Sequence, residues 1–195
     1  MPRLSRGFGR IVMLSSSRAL FFVAASALVS TGCATRYIPN TDVEDNDDNR
    51  KVITFCEKYR HAVELKDVGE LMKLASSDYY EDGGNVDASD DLDFAGLKDY
   101  LTGKFNDARA IRYEIRYRRV LRQEVPQDDE KQGAGAHHAD QGEEPLELIF
   151  VDFTYSASYR IPAAKGGDEW RRRVEDNRLE ILRYPNDKFK IVAGM

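Results

Sequence analysis

The hydrophobic pattern of this chain changes its period once, and that change constrains the fold more than any other feature. Through residues 48–105 the apolar positions recur every three or four residues, which is the spacing of amphipathic helices. From Ile111 to Tyr117 every second residue is apolar and the residues between are charged, which predicts a half-buried strand. Helices followed by sequential antiparallel strands predict an α+β domain with a meander.

Three helices are predicted before the change of period. The first carries an apolar stripe from Val52 to Val63, and the third carries one from Phe94 to Phe105. A capping box, in which Glu70 stands three positions after Asp67, marks a short second helix between them. Cys56 lies on the first stripe, where we expect it to pack as a small hydrophobic side chain.

Four strands are predicted after residue 110, and each begins near an apolar residue, namely Ile111, Ile149, Trp170 and Phe189. In the first strand Val120 breaks the alternation, which predicts a bulge near Arg118–Arg119. Residues 123–145 join the first two strands and contain almost nothing apolar, so we predict a disordered hairpin tip.

A histidine pair in this tip is the one candidate metal site. His137, His138 and Asp140 carry side chains that transition metals accept. A disordered tip offers no second shell of partners to hold such ligands in place. We therefore predict no metal and no cofactor.

The first 32 residues have the layout of an export signal. They contain four arginines and no acidic residue, and an apolar run follows from Ala19 to Val29. This run of 11 residues is shorter than the ~20 that a membrane-spanning helix needs. A positive flank, a short apolar core and small residues after it predict a cleavable secretory signal over residues 1–32.

The string Val29-Ser30-Thr31-Gly32-Cys33 resembles the bacterial lipobox, in which the cysteine receives lipid. The resemblance implies that Cys33 is the mature N-terminus and carries two or three acyl chains, enough for stable membrane anchoring. Ala34 after the cysteine implies the outer membrane rather than the inner one. We thus expect a lipid-anchored protein of the bacterial cell envelope that faces the periplasm. An ordinary cleaved signal with an incidental cysteine is the alternative.

The segment after the cysteine is predicted to be a tether. Residues 33–47 are rich in acids, include Pro39, and offer little to bury beyond Ile38 and Val43. Such a composition favours a flexible acidic linker. A single domain over residues 48–195 follows it.

The charge of the mature protein excludes some partners. The whole chain has a net charge of −5, and removing the four arginines of the signal makes the mature protein −5 − 4 = −9. A nucleic-acid partner is not expected because such proteins carry a basic domain or patch. By net charge the protein would also not adhere to anionic lipid headgroups.

Three strings in the mature chain resemble the nuclear transport factor 2-like superfamily. Residues Phe55–Leu74 look like the superfamily's opening helix, the break after it and its second helix. Residues Asp78–Tyr80 stand where the chain in this superfamily leaves the second helix toward the cavity. Residues Lys188–Gly194 look like its closing strand, with Phe189 in place of a tryptophan. The resemblance covers nearly all of residues 48–195. It implies a strongly curved antiparallel sheet wrapped around the three helices, forming a cone with a pocket at its open end.

The same resemblance suggests an isomerase-like or dehydratase-like site. Tyr59 stands eight residues before Asp67, the spacing at which isomerases of the superfamily place an oxyanion-hole tyrosine. Asp82 is the nearest candidate for the carboxylate base, and Asp176 is the nearest candidate for a protonated acid. Each residue also has a purely structural interpretation. Tyr59 can be a packed core aromatic, Asp82 can be a turn former and Asp176 can belong to a cross-strand ion pair.

Two classes of function stay open. In the first, a non-catalytic domain uses its cone to bind a small ligand, an envelope protein or a second copy of itself. Its pocket is predicted to be lined by Tyr59, Tyr113, Tyr155 and Trp170. The second class is a small-molecule isomerase or dehydratase that uses Tyr59, Asp82 and Asp176. We favour the first class because Asp82 stands near the sequence position of the family's catalytic base but does not occupy it. Acid–base catalysis depends on the exact placement of the base.

The predicted first and third strands carry several arginines. They are Arg112, Arg116, Arg118, Arg171, Arg172 and Arg173. A basic stripe of this kind can attract an anionic glycan or lipopolysaccharide. We expect most of these arginines to pair instead with acidic residues on neighbouring strands.

Replacing Cys33 by serine tests the anchor. The change Cys33→Ser removes the thiol that accepts the lipid, so acylation should be lost and the protein should be found unprocessed or in the soluble fraction. Metabolic labelling with a clickable fatty acid measures this. Equal labelling of the wild type and the variant would contradict the assignment.

Overall fold

Three helices precede the main sheet, as the sequence predicts. The computed structural model describes residues 35–82, 91–125 and 144–195. The helices are α1 (Asp47–Leu65), α2 (Val68–Leu74) and α3 (Phe94–Asp107). Each begins at a side-chain cap, because the Asn46, Asp67 and Asp93 oxygens accept a hydrogen bond from a backbone N–H of the first turn.

Within the described residues, six strands accompany the helices. Two short ones, β1 (Tyr80–Glu81) and β2 (Leu92–Asp93), pair with each other. The other four form an antiparallel sheet in the order β3-β4-β5-β6, and they are β3 (Ala110–Glu124), β4 (Glu147–Pro162), β5 (Asp168–Tyr184) and β6 (Lys188–Ala193). The register of β3 shifts between Tyr117 and Arg119, which is the predicted bulge. The predicted α+β class, with three helices followed by a curved antiparallel sheet, is confirmed.

The core lies between α1 and one face of this sheet. Alternate residues of β3, β4 and β5 turn toward the helices, and those fully buried include Ile149, Val151, Leu179 and Ile181. On α1 the opposing stripe includes Val52 and Cys56. Burial raises the pKa of the Cys56 thiol, so this cysteine packs as a neutral apolar side chain.

The segment before α1 corrects one expectation from the sequence. Residues 33–47 are predicted to be a flexible tether, whereas their described part packs against the sheet. The backbone N–H of Asp42 donates to the carbonyl of Tyr117 over 2.9 Å, and that of Ile38 donates to Val43 over 2.9 Å. Val43 is only 2% exposed and belongs to the core. Burial of Val43 and the hydrogen bond to the Tyr117 carbonyl of β3 dock the segment.

Several predicted features fall on residues that the structure does not describe. These are the signal at residues 1–32, the acylation site Cys33 and residues 126–143 of the hairpin tip, which include His137 and His138. Among the helices that are described, none is both long enough and apolar enough to cross a membrane.

A pair of matched substitutions tests the docked segment. Val43→Ala should lower the free energy of unfolding by about 1–3 kcal/mol, because it removes buried methyl groups from the core. Val174→Ala makes the same chemical change on β5 at a side chain that is 54% exposed, and it should change stability little. Urea unfolding measures both. Equal effects would mean that the segment before α1 does not contribute to the core.

Candidate binding site

Three of the predicted pocket residues meet on the helix-facing side of the sheet. Tyr59 of α1 lies edge-on to Tyr113 of β3, with ring centroids 6.2 Å apart and an interplanar angle of 84°. Tyr113 in turn lies 5.4 Å from Tyr155 of β4, again measured between ring centroids. Edge-on and tilted contacts of this kind are favourable for aromatic rings. The structure therefore brings Tyr59, Tyr113 and Tyr155 together, and we call them the tyrosine cluster.

The two inner members of the tyrosine cluster are held as neutral hydroxyls. Tyr59 is 4% exposed and Tyr113 is 6% exposed. Burial raises the pKa of both phenols, because the phenolate would lose its hydration. At neutral pH both hydroxyls are therefore donors without charge.

The outer end of the cluster is polar. The Tyr155 hydroxyl donates to Oε2 of Glu175 over 2.9 Å, and Nε of Arg173 lies 2.5 Å from Oε1 of the same carboxylate. The hydrogen bond from Arg173, and after it the one from Tyr155, hold the pKa of Glu175 below its usual range. Glu175 has the same strand parity as the buried Leu179, and this parity is the sequence signal by which it could have been found.

A second carboxylate lies beside a buried tyrosine. Tyr79 is 1% exposed, and its hydroxyl donates to Oε2 of Glu81 over 2.5 Å. Burial raises the pKa of Tyr79, and the hydrogen bond to Glu81 raises it further. Tyr79 also lies near enough to Tyr59 to contribute to the raised pKa of Tyr59. The predicted base, Asp82, is the next residue along and is exposed. Near the predicted base position, Glu81 is thus a carboxylate in contact with a buried tyrosine.

The remaining predicted site residues lie on the opposite face of the sheet. Trp170 is 48% exposed, and the guanidinium of Arg112 lies 4.8 Å from the centroid of its ring. Asp176 is exposed and accepts a hydrogen bond from the Thr154 hydroxyl over 2.6 Å. Even-numbered residues of this part of β5 point away from the helices, because side chains alternate along a strand. The structure does not bring Trp170 or Asp176 to Tyr59.

A groove runs beside the tyrosine cluster. It has a volume of about 410 Å³ and lies between α1, β3 and residues 38–41, and we call it the α1–β3 groove. Its other lining residues include Ile53, Glu57, Arg60, Glu64, Tyr113, Ile115 and Tyr117. Because Tyr113 belongs to both features, the groove borders the tyrosine cluster.

Arg60 organises the polar wall of the α1–β3 groove. Its guanidinium lies 2.7 Å from Glu57 and 2.7 Å from Glu64, and these two carboxylates raise its pKa. Glu57 also accepts the Tyr117 hydroxyl over 2.9 Å, and Glu64 accepts the backbone N–H of Tyr113 over 3.1 Å. Half-buried charges linked in this way hold their side chains in fixed positions.

Several of the strand arginines pair with acidic residues, but not on neighbouring strands, so that prediction is wrong. Arg171 lies 2.7 Å from Glu169 of its own strand, and Arg116 lies 2.7 Å from Asp42 of the docked segment. Within residues 35–82, 91–125 and 144–195 no three His, Cys, Asp or Glu side chains are placed to hold a metal ion.

Comparison with known proteins finds similarity in structure. No protein-family model and no curated protein sequence matches the chain. A protein from Kribbella flavida is similar at a TM-score of 0.51 and 14% identity, over 75% of this chain and 87% of that one. A conserved protein from Planctomyces limnophilus has a TM-score of 0.51 and 9% identity, over 76% and 98%. A candidate dehydratase from the nuclear transport factor 2-like family of Streptomyces avermitilis has a TM-score of 0.49 and 12% identity, over 75% and 93%. At such identities the likeness concerns the fold alone.

Proposed function

We propose that this chain is a lipid-anchored protein of the bacterial cell envelope whose domain, of the nuclear transport factor 2-like kind, binds a small molecule without catalysis. The proposed anchor rests on Cys33 and the export signal before it. The proposed binding function rests on one observation, the α1–β3 groove of about 410 Å³, which borders the tyrosine cluster at Tyr113. Small-molecule sites have volumes of about 300–1,000 Å³.

The chemistry of the α1–β3 groove suits a ligand with an apolar body and one polar end. Ile53 and Ile115 offer apolar surface. Arg60 offers a charged donor whose position is fixed by Glu57 and Glu64. Burial of apolar area supplies most of the affinity in such sites, and a few polar groups set the orientation. A segment of a protein partner, or of a second copy of the chain, is the alternative occupant.

A proton-transfer enzyme is the second candidate, and the contact between Tyr79 and Glu81 favours it. Glu81 is a half-buried carboxylate in the same region as Tyr59, a neutral hydroxyl donor. A carboxylate base and a neutral donor are the two groups that enolisation requires. We rank this second because Tyr59 is 4% exposed, so a substrate would have to displace packed side chains to reach it.

Native mass spectrometry of the protein, purified from its own membrane, tests the binding site. The wild type should retain a small molecule, and Ile115→Trp should lose it because the larger ring fills the α1–β3 groove. Leu121→Trp is the matched control, since it lies on the same strand and is 40% exposed. Loss of ligand from both variants, or from neither, would contradict the proposed site. A mass of twice the chain would instead indicate the self-associated form.

Turnover of enolisable ketones tests the enzyme candidate. If the domain catalyses proton transfer, Tyr59→Phe and Glu81→Gln should each lower the rate by about 100-fold or more, the scale of a lost oxyanion donor or general base. Asp82→Asn changes the adjacent carboxylate and should leave the rate unchanged; a loss there would restore Asp82 as the base. Absence of activity, or activity insensitive to all three changes, removes this candidate.

A further inference from the structure

The face of the sheet that points away from the helices carries two arginines in one cross-strand row. Arg112 of β3 stands opposite Ser158 of β4, and Ser158 stands opposite Arg172 of β5. The next residue of β3, Tyr113, is buried on the inner face, so these three side chains point outward. The two arginines therefore flank a serine, and we call Arg112, Ser158 and Arg172 the arginine row.

Contacts with uncharged groups hold both arginine side chains toward β4. The guanidinium of Arg112 lies 4.8 Å from the centroid of the Trp170 ring, and because Trp170 is on β5 this contact spans β4. Nε of Arg172 donates to Oγ of Ser156, on the same face of β4, over 2.9 Å. Ser156 and Ser158 are small, so they leave space above β4 between the two long side chains.

Neither arginine of the row is neutralised by an acidic side chain. Arg112 and Arg172 form no ion pair with any residue in the described part of the chain, whereas Arg171, on the other face of β5, pairs with Glu169. Glu114 stands in the next row of the outer face and forms no ion pair with either guanidinium. A guanidinium has five N–H donors in its plane, so stacking on a ring leaves its edge open to an anion.

A third arginine leaves a donor unsatisfied at the edge of the row. Arg160 follows Ser158 on the outer face of β4 and stands opposite Trp170. Its Nε is buried and has no hydrogen-bond partner within the described residues, although Asp168 lies 3.6 Å away. Asp168 is engaged more closely by Arg109, at 2.5 Å. Buried donors are normally satisfied, so the chain alone leaves this end of the sheet incompletely bonded.

Trp170 supplies apolar surface next to the arginines. It is 48% exposed, whereas tryptophan is highly buried on average. Exposed tryptophan and arginine together are typical of binding surfaces, because both offer a flat apolar area beside hydrogen-bond donors. The C–H groups of a sugar ring pack on such an area, and sugar hydroxyls hydrogen-bond to serine hydroxyls such as those of Ser156 and Ser158.

We propose that this outer face binds an acidic glycan, with a sugar carboxylate on Arg112 and Arg172 and the sugar ring against Trp170. The planar fork of arginine matches a carboxylate with two parallel hydrogen bonds. The chain's net charge of −5 does not oppose this, because the arginines act at contact distance whereas salt screens charges beyond about 8–10 Å. The site lies on the opposite face of the sheet from the tyrosine cluster and is independent of the proposed small-molecule function.

Isothermal titration of the full chain in a neutral detergent tests the site with trigalacturonate, a trisaccharide that carries carboxylates. Maltotriose, which has no carboxylate, and sodium acetate, which has no sugar ring, are the comparison probes. Arg172→Ala removes one arm of the arginine row, and Trp170→Ala removes the apolar surface. Arg171→Ala is the matched control, because it removes the adjacent arginine from the other face of β5. All three side chains are exposed, so the variants should keep the fold.

We expect trigalacturonate to bind more tightly than either comparison probe. Arg172→Ala and Trp170→Ala should each weaken this binding by about tenfold or more, and Arg171→Ala should leave it intact. Absence of binding, or equal weakening by Arg171→Ala and Arg172→Ala, overturns the proposal. Equal affinity for acetate, which means an adventitious ion only, or for maltotriose also overturns it. So does a dimer that Arg172→Ala dissociates in size-exclusion chromatography, since a second copy would then cover this face.

Discussion

Burial of one stripe of α1 against the sheet is the interaction on which the other features depend. The stripe contains Val52, Cys56 and Tyr59, each at most 4% exposed. Burying a large apolar side chain contributes about 1.5–3 kcal/mol, so this contact fixes the rotation of the helix about its axis. Once that rotation is fixed, Arg60 must face β3 and Lys58 must face β6. The α1–β3 groove is a consequence of how this single helix packs.

The sequence predicted the fold well because the fold rests on local periodicity. The three helices, the four long strands and the bulge after Tyr117 all follow from spacing between near neighbours. Spacing also indicated the tyrosine cluster, since Tyr113 and Tyr155 share the inward parity of their strands. Parity, applied to β5, would likewise have separated Glu175 from Asp176.

What spacing could not predict are the features built by residues far apart in the chain. The α1–β3 groove needs residues 38–41 as a wall, and that segment looked too polar to pack. A second groove is lined by Lys58 of α1 and Lys188 of β6, which no local pattern connects. Net charge likewise sums over the whole surface and does not locate charges within it. On the sheet, for example, Asp152 is shared by Arg119 and Arg178.

The docked segment also sets how freely the domain can move in the proposed lipid-anchored protein. The Arg36 carbonyl already accepts a hydrogen bond from the backbone N–H of Asp45, so only Ala34 and Thr35 separate it from Cys33. Three steps of about 3.8 Å span roughly 11 Å, whereas a free tether of 14 residues would reach ~45–50 Å. If Cys33 carries lipid as proposed, the domain therefore stays next to the bilayer instead of extending from it on a long linker.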